Sequence, residues 1–168
     1  PSSMKYFEER SSISSDIENT RLMMFLPSTK EETFSYIKKC ETQWKSENQT
    51  LFEFDILLKE ENNKFIGGIS FELLFDNPEI VKKFGNNCAD MGWLLDKNFW
   101  NKGFASESAK CVLEFAKSLG VKKMIAQCDA ENIGSWRVME KIGMKKYSDN
   151  GIRYNKSEPN LAKTEFMY

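Results

Sequence analysis

A chain of 168 residues, 40% hydrophobic and 29% charged, is long enough for one domain with its own core and has an ordinary globular composition. Its formal net charge of −1 argues against a nucleic-acid binder, which needs clustered Lys and Arg, and no apolar run approaches the length of a membrane span. With no histidine and no Cys-x-x-Cys pair among Cys40, Cys88, Cys111 and Cys128, Ser-His-Asp and Cys-His catalysis are excluded and no metal site is expected; scattered reduced thiols suit a cytoplasmic protein.

Helical segments are expected around Ser3–Glu9 and Asp16–Met24, flanking a Ser-rich loop over Ser11–Asn19. Ser28 and Glu31 have the spacing of a capping box, and Phe34, Ile37, Cys40 and Trp44 then fall roughly on one helical face. From Leu51 the period changes to two. Phe52, Phe54, Ile56 and Leu58 alternate with Glu53, Asp55 and Lys59, which predicts a strand with one buried face. A polar turn over Glu60–Lys64 and a second strand over Phe65–Leu74 complete a hairpin. Asp76–Asn87 reads as a loop with a helical turn, and Ala89–Leu95 as a third strand. Ala105–Leu119 is the clearest helix, with Gly120 at its C-cap. A strand at Lys123–Asp129, a helix at Asn132–Ile142 ended by Gly143, and strands at Met144–Ser148, Ile152–Asn155 and Lys163–Tyr168 follow. The order predicts a mixed α/β sheet, antiparallel at one end.

The segment joining the third strand to the clearest helix carries the chemistry. Asn101-Lys102-Gly103-Phe104-Ala105-Ser106 is small-residue, basic and opens a helix. A helix N-terminus offers unpaired N–H groups and partial positive charge, so it attracts phosphate. Gly103 lets a ligand approach the backbone, and Lys102 adds a full charge. The pattern is neither a Walker A loop nor a Rossmann fingerprint, and it predicts a pyrophosphate site.

Three blocks resemble the GCN5-related N-acetyltransferases, in particular the branch that acetylates protein N-termini and small amines (the ribosomal-protein alanine acetyltransferase type). They are Asp90–Leu95, Phe99–Glu107 and Asn132–Met144, in the family's order and spacing. The resemblance extends more weakly over Thr20–Tyr168, without the family's first strand ahead of it. It implies a single acetyltransferase domain over 1–168. Its mixed sheet would have splayed central parallel strands and flanking helices. Acetyl-CoA would be the acetyl donor, with its pantetheine arm along Gly92, Trp93, Leu94 and Leu95 and its pyrophosphate on Asn101–Ser106. Asn132 would hold the pantetheine arm, and Ser135 would lie near the thioester sulfur and protonate the leaving thiolate.

Two positions depart from the pattern. Trp100 stands where the family's loop often has Gln or Arg, with Lys102 as the replacement charge. Met139 stands where many members place a tyrosine acid. The base expected from the resemblance is Asp90, with Glu72 as rival and Glu53 as a weaker third choice that reads equally as an exposed strand charge. The expected activity is acetyl transfer to a primary amine by direct attack in a ternary complex. The alternative is a non-catalytic acyl-CoA-binding module. The partners expected are acetyl-CoA and an amine, with no nucleic acid, membrane or metal, in a monomer or homodimer.

Overall fold

The computed structural model describes residues 1–168. Six helices, α1 (Phe7–Ser15), α2 (Ile17–Thr20), α3 (Lys30–Gln43), α4 (Pro78–Phe84), α5 (Phe104–Ser118) and α6 (Ile133–Lys141), surround seven strands. The strands are β1 (Leu51–Leu58), β2 (Lys64–Leu73), β3 (Cys88–Leu95), β4 (Lys123–Ile125), β5 (Gln127–Asp129), β6 (Ser148–Asn155) and β7 (Glu158–Met167). They form one sheet in the order β1-β2-β3-β4 and another in the order β5-β7-β6.

Cross-strand rows give the first sheet two different faces. Phe52, Phe71 and Met91 line up on one side, where Ala109, Val112 and Ala116 of α5 close the main core. The Phe52 and Phe71 rings stack with centroids 4.7 Å apart. On the opposite side the register aligns Leu51 with Glu72 and Asp90, Glu53 with Ser70 and Gly92, and Asp55 with Gly68 and Leu94. Alternation made Glu53 and Asp55 look solvated. Instead α1 and α3 cover this face, and Arg10 of α1 bridges Glu53 at 2.7 Å and Asp55 at 2.9 Å, all three side chains being buried. A polar strand face is sealed here because its charges are paired.

The N-terminal region differs most from its sequence reading. The Ser-rich stretch is helical, because two of its serines pack inward while Ser12 and Ser15 stay at the surface. Ser11 and Ser14 are buried, and the Ser14 and Thr33 hydroxyls lie 3.0 Å apart, joining α1 to α3. The expected Asp16–Met24 helix shrinks to α2, capped by Asp16. The capping box sits one residue later, at Thr29 and Glu32, because the Ser28 N–H is taken by the Ser14 carbonyl. The buried stripe of α3 is Thr33, Ile37 and Cys40, and Phe34 is exposed and meets Phe7 edge-on. Residues 144–147 are irregular rather than a strand, and the last strand starts earlier, at Glu158.

The decisive difference lies at Ala126. The expected strand Lys123–Asp129 is two strands in two sheets. β4 pairs in parallel with β3 only over Cys88–Asp90. At Ala126 the backbone turns its N–H and C=O to Tyr168, at 3.0 and 2.9 Å, and β5 continues against β7. β3 runs on to Leu95 beside β2 with its other edge free.

The end of β3 is held by close backbone packing. A Cβ on Gly67 would stand 2.3 Å from the Leu94 carbonyl oxygen. Gly67→Ala is therefore expected to cost about 1–3 kcal/mol, read as a lower urea midpoint at unchanged slope. An unchanged midpoint would mean that β2 and β3 separate there freely.

Candidate active site

The loop after β3 is built to present backbone N–H groups. Asp96 caps the single turn Lys97–Phe99, and Oδ1 of the buried Asn19 side chain accepts the Lys97 N–H at 2.7 Å. The Trp100 indole donates to the Leu95 carbonyl at 3.0 Å, which ties the loop to the end of β3. Asn101 and Gly103 then take positive φ, 60° and 90°. At Gly103 the space a Cβ would fill is open. No side chain caps α5, and Glu107 is the first residue to bond back, to the Gly103 carbonyl at 3.0 Å. The N–H groups of Phe104, Ala105 and Ser106 therefore have no backbone acceptor and face a cleft. That is the arrangement that binds phosphate oxygens.

This first cleft has a volume of about 640 Å³. Its walls include Trp93, Leu94 and Leu95 of β3, Asn101 and Gly103–Ser106 of the loop and α5, and Asn132 and Ser135 at the start of α6. Lys102 is not on the wall; its ammonium lies 5.2 Å over the Phe99 ring. The cationic wall residues are Arg21, Arg137 and Lys141, none of which the sequence singled out. Asn132 caps α6 through its carbonyl oxygen, which accepts the Ser135 N–H at 3.1 Å. That leaves its amide donors for a ligand.

A second cleft, about 510 Å³, lies on the other side of the splay. Asp90 and Gly92 line it, and Trp93, Leu94, Asn132 and Ser135 line both clefts. The two cavities therefore meet where β3 has its free edge. Residues 22–26 lie along the second cleft, with Leu22 and Met23 reaching the first as well.

The Asp90 carboxyl is pushed up to about 6, first by desolvation among the converging strands, then by Glu72 directly across the ladder and by Glu165. Asp90 is nonetheless exposed at the sheet surface, so water reaches its carboxyl and screens the effect, and the direction of the shift rests on its place directly across from Glu72. Glu72 is exposed and lines neither cleft. Glu53 does reach the second cleft, but its oxygens are taken by Arg10 at 2.7 Å and the Tyr36 hydroxyl at 2.8 Å. It is a structural carboxylate with no free oxygen for base work. Met139 is buried with Ala126, Cys128 and Tyr168, and the Tyr168 hydroxyl donates to Glu140 at 3.1 Å. Burial pushes the Cys128 thiol up to about 11, which keeps it protonated and weakly nucleophilic at neutral pH. Arg153 of β6, buried on the wall of this cleft, was not legible in the sequence, where it is one basic residue in a polar stretch.

A strand with a free edge, running into a helix N-terminus that presents open amides, suits an extended ligand that carries phosphate. Residues 6–145 match the acetyltransferase (GNAT) domain family, and the chain belongs to it. It is 32% identical over 132 residues to the Bacillus subtilis protein "Uncharacterized N-acetyltransferase YnaD", covering 76% of this chain and 68% of that one. A GNAT-family acetyltransferase from Bacillus anthracis superposes with a TM-score of 0.77 at 27% identity, covering 99% of this chain and 89% of that one. The Salmonella typhimurium enzyme described as modifying the N-terminal serine of ribosomal protein L7/L12 shares the fold, with a TM-score of 0.78 at 15% identity over 99% of this chain and 90% of its own. The protein is thus an N-acetyltransferase that uses acetyl-CoA as its donor substrate. No helix is long and apolar enough to cross a membrane.

Proposed function

We propose that this protein transfers an acetyl group directly to a primary amine, with donor and acceptor bound in the two clefts at once. The observation that carries this reading is the meeting of the clefts at Trp93, Leu94, Asn132 and Ser135, beside a carboxyl at Asp90 raised to about 6.

Acetyl-CoA supplies an acetyl thioester already activated for attack. The amides of Phe104, Ala105 and Ser106 hold its pyrophosphate, with Arg21, Arg137 and Lys141 as charge on the same cleft. The free edge of β3 from Gly92 to Leu95 offers backbone partners to the pantetheine arm, and the Asn132 amide assists. Lys102 adds only long-range attraction from its place over Phe99.

Asp90 takes the proton of the incoming ammonium, through water where the reach requires it. A raised pKa suits this task, because a base works best with a pKa near the operating pH. A β3 N–H stabilises the negative charge that develops on the carbonyl oxygen. The Ser135 hydroxyl, on the wall shared by both clefts, donates a proton to the departing sulfur. Holding both reactants in adjoining cavities supplies much of the acceleration.

Thermal melting with acetyl-CoA, followed by thiol release with a panel of amines, tests the reading. Acetyl-CoA at about 100 times its Kd should add about 2.7 kcal/mol, a rise of roughly 5–10 °C for a chain of this size. No rise at millimolar acetyl-CoA overturns the donor site. A rise without thiol release to any amine would instead mark a non-catalytic acyl-CoA-binding module.

A further inference from the structure

The second cleft contains a cation with unused hydrogen-bonding capacity. The Arg153 side chain is 5% exposed, yet it is part of the cleft wall. Its Nε donates to Asn155 Oδ1 at 3.1 Å, and the Asn155 amide donates to Asp129 Oδ2 at 2.6 Å. Asn155 and Asp129 have no exposed surface, so the guanidinium is held by a rigid, fully buried chain. The carboxylate beside it, Glu165, is 3.6 Å from Nη1, beyond a hydrogen bond. The two Nη groups make no hydrogen bond, and neither is sealed from solvent. Donors left open on a cavity wall are available to an anion that enters it.

The other charges of this cleft are already matched. Glu53 is taken by Arg10 and Tyr36, and Glu32 by Lys156, whose ammonium sits 2.9 Å from both its oxygens. The groups left with free hydrogen-bonding capacity are therefore one carboxyl, Asp90, and one guanidinium, Arg153, whose ionic neighbour Glu165 stands 3.6 Å away. The pair is complementary to a molecule with an amine at one end and an anion at the other.

Resting on the acetyltransferase reading above, we propose that the acceptor is a small amine that also carries a carboxylate, which Arg153 anchors while the amine faces Asp90. A planar guanidinium matches a carboxylate with two parallel hydrogen bonds. Arg10 of this same chain already holds two carboxylates at once, at 2.7 and 2.9 Å. Arg153 has Glu165 as one neighbour, and its Nη groups, on the cleft wall, make no hydrogen bond. The cleft volume of about 510 Å³ is that of a small-molecule pocket. A polyamine finds no unmatched carboxylate here beyond Asp90, and would bring a second positive charge towards Arg153.

The test is thiol release from acetyl-CoA with matched probes. L-α-amino acids, β-alanine and γ-aminobutyrate are each compared with their carboxamides. O-phosphoethanolamine, spermidine and a short peptide amide complete the panel. At least one carboxylate probe should exceed its carboxamide by roughly tenfold or more in kcat/KM, the scale of a lost charged hydrogen bond. Arg153→Gln should bring that ratio close to one, mostly through KM, while Arg153→Lys keeps part of it. Each variant is first checked for a wild-type melting shift with acetyl-CoA, so that a folding defect is not read as lost recognition. Preference for O-phosphoethanolamine, spermidine or the peptide amide overturns the assignment. So does a carboxylate ratio that survives Arg153→Gln, or the absence of turnover across the panel when acetyl-CoA binds. Absence of any acetyl-CoA shift in the wild type removes the acetyltransferase reading itself, and this inference falls with it.

Discussion

Asp90→Asn is expected to lower kcat/KM for amine acetylation by roughly a hundred- to ten-thousand-fold, the range a positioned general base contributes. The acetyl-CoA melting shift should stay at its wild-type value, because the Asp90 side chain lines the second cleft and not the first. The same carboxyl sets the acid limb of the pH profile. A base must be ionised to accept a proton, and Asp90 ionises as pH rises through about 6. Activity of the wild type should therefore climb through that pH and flatten above it, and Asp90→Asn should lose this limb.

Stability should respond in the opposite direction. The folded state raises the Asp90 pKa above its ordinary value of 3.8, so it binds this proton more tightly than the unfolded chain does. Between those two values stability falls as pH rises. Asp90→Asn, which carries no charge to repel Glu72, should melt above the wild type at pH 8, with the gap closing towards pH 4. Unchanged turnover in Asp90→Asn would move the base role to Glu72 or to water, and Glu72→Gln would separate these.

Arg10→Ala is expected to be the most destabilising single change, at about 3–5 kcal/mol, since it strands buried carboxylates without a counter-charge. For a chain of this size that is roughly a 10 °C fall in Tm. Glu53 and Asp55 are both buried, and Arg10 is the shared partner that lets α1 close over the polar face of β1. Desolvation already pushes the Asp55 carboxyl up, against the opposing pull of Arg10. Without Arg10 the Asp55 carboxyl would rise further above its unfolded value. The deficit should then be larger at pH 8 than at pH 5, because protonation relieves it. Urea midpoints at the two pH values measure this. A loss under 1 kcal/mol, or one that does not depend on pH, would mean that water reaches Glu53 and Asp55 once the arginine is gone.

The parts of the fold legible in the sequence are those whose cause is local. α5 shows as Ala109, Val112 and Ala116 at helical spacing before a positive-φ glycine at Gly120. The β1–β2 hairpin shows as period-two alternation around a polar turn. The shape of the loop between β3 and α5 was legible for the same reason. Asn101 to Ser106 are contiguous, and their backbone conformations and free amides follow from a glycine at a helix start.

What failed to show was set by partners distant in the chain. Nothing between Lys123 and Asp129 says that the strand must change sheets at Ala126. The carboxy-terminal Tyr168 decides that by taking its N–H and C=O. Ser11 and Ser14 read as loop because polarity correlates with exposure, and only Thr33 on α3 gives the Ser14 hydroxyl its buried partner. Glu53 read as an open charge until α1 brought Arg10 across it.

The sequence by itself therefore determined the class of protein and its donor, because the family's pattern is encoded in short contiguous blocks. Only the tertiary structure decided how the second cleft is built. Asp90 comes from β3, Arg153 from β6, and Glu53 and Tyr36 from β1 and α3. Which of these carboxylates is free and which is already paired depends on contacts between remote segments, and no local pattern of residues records such a pairing.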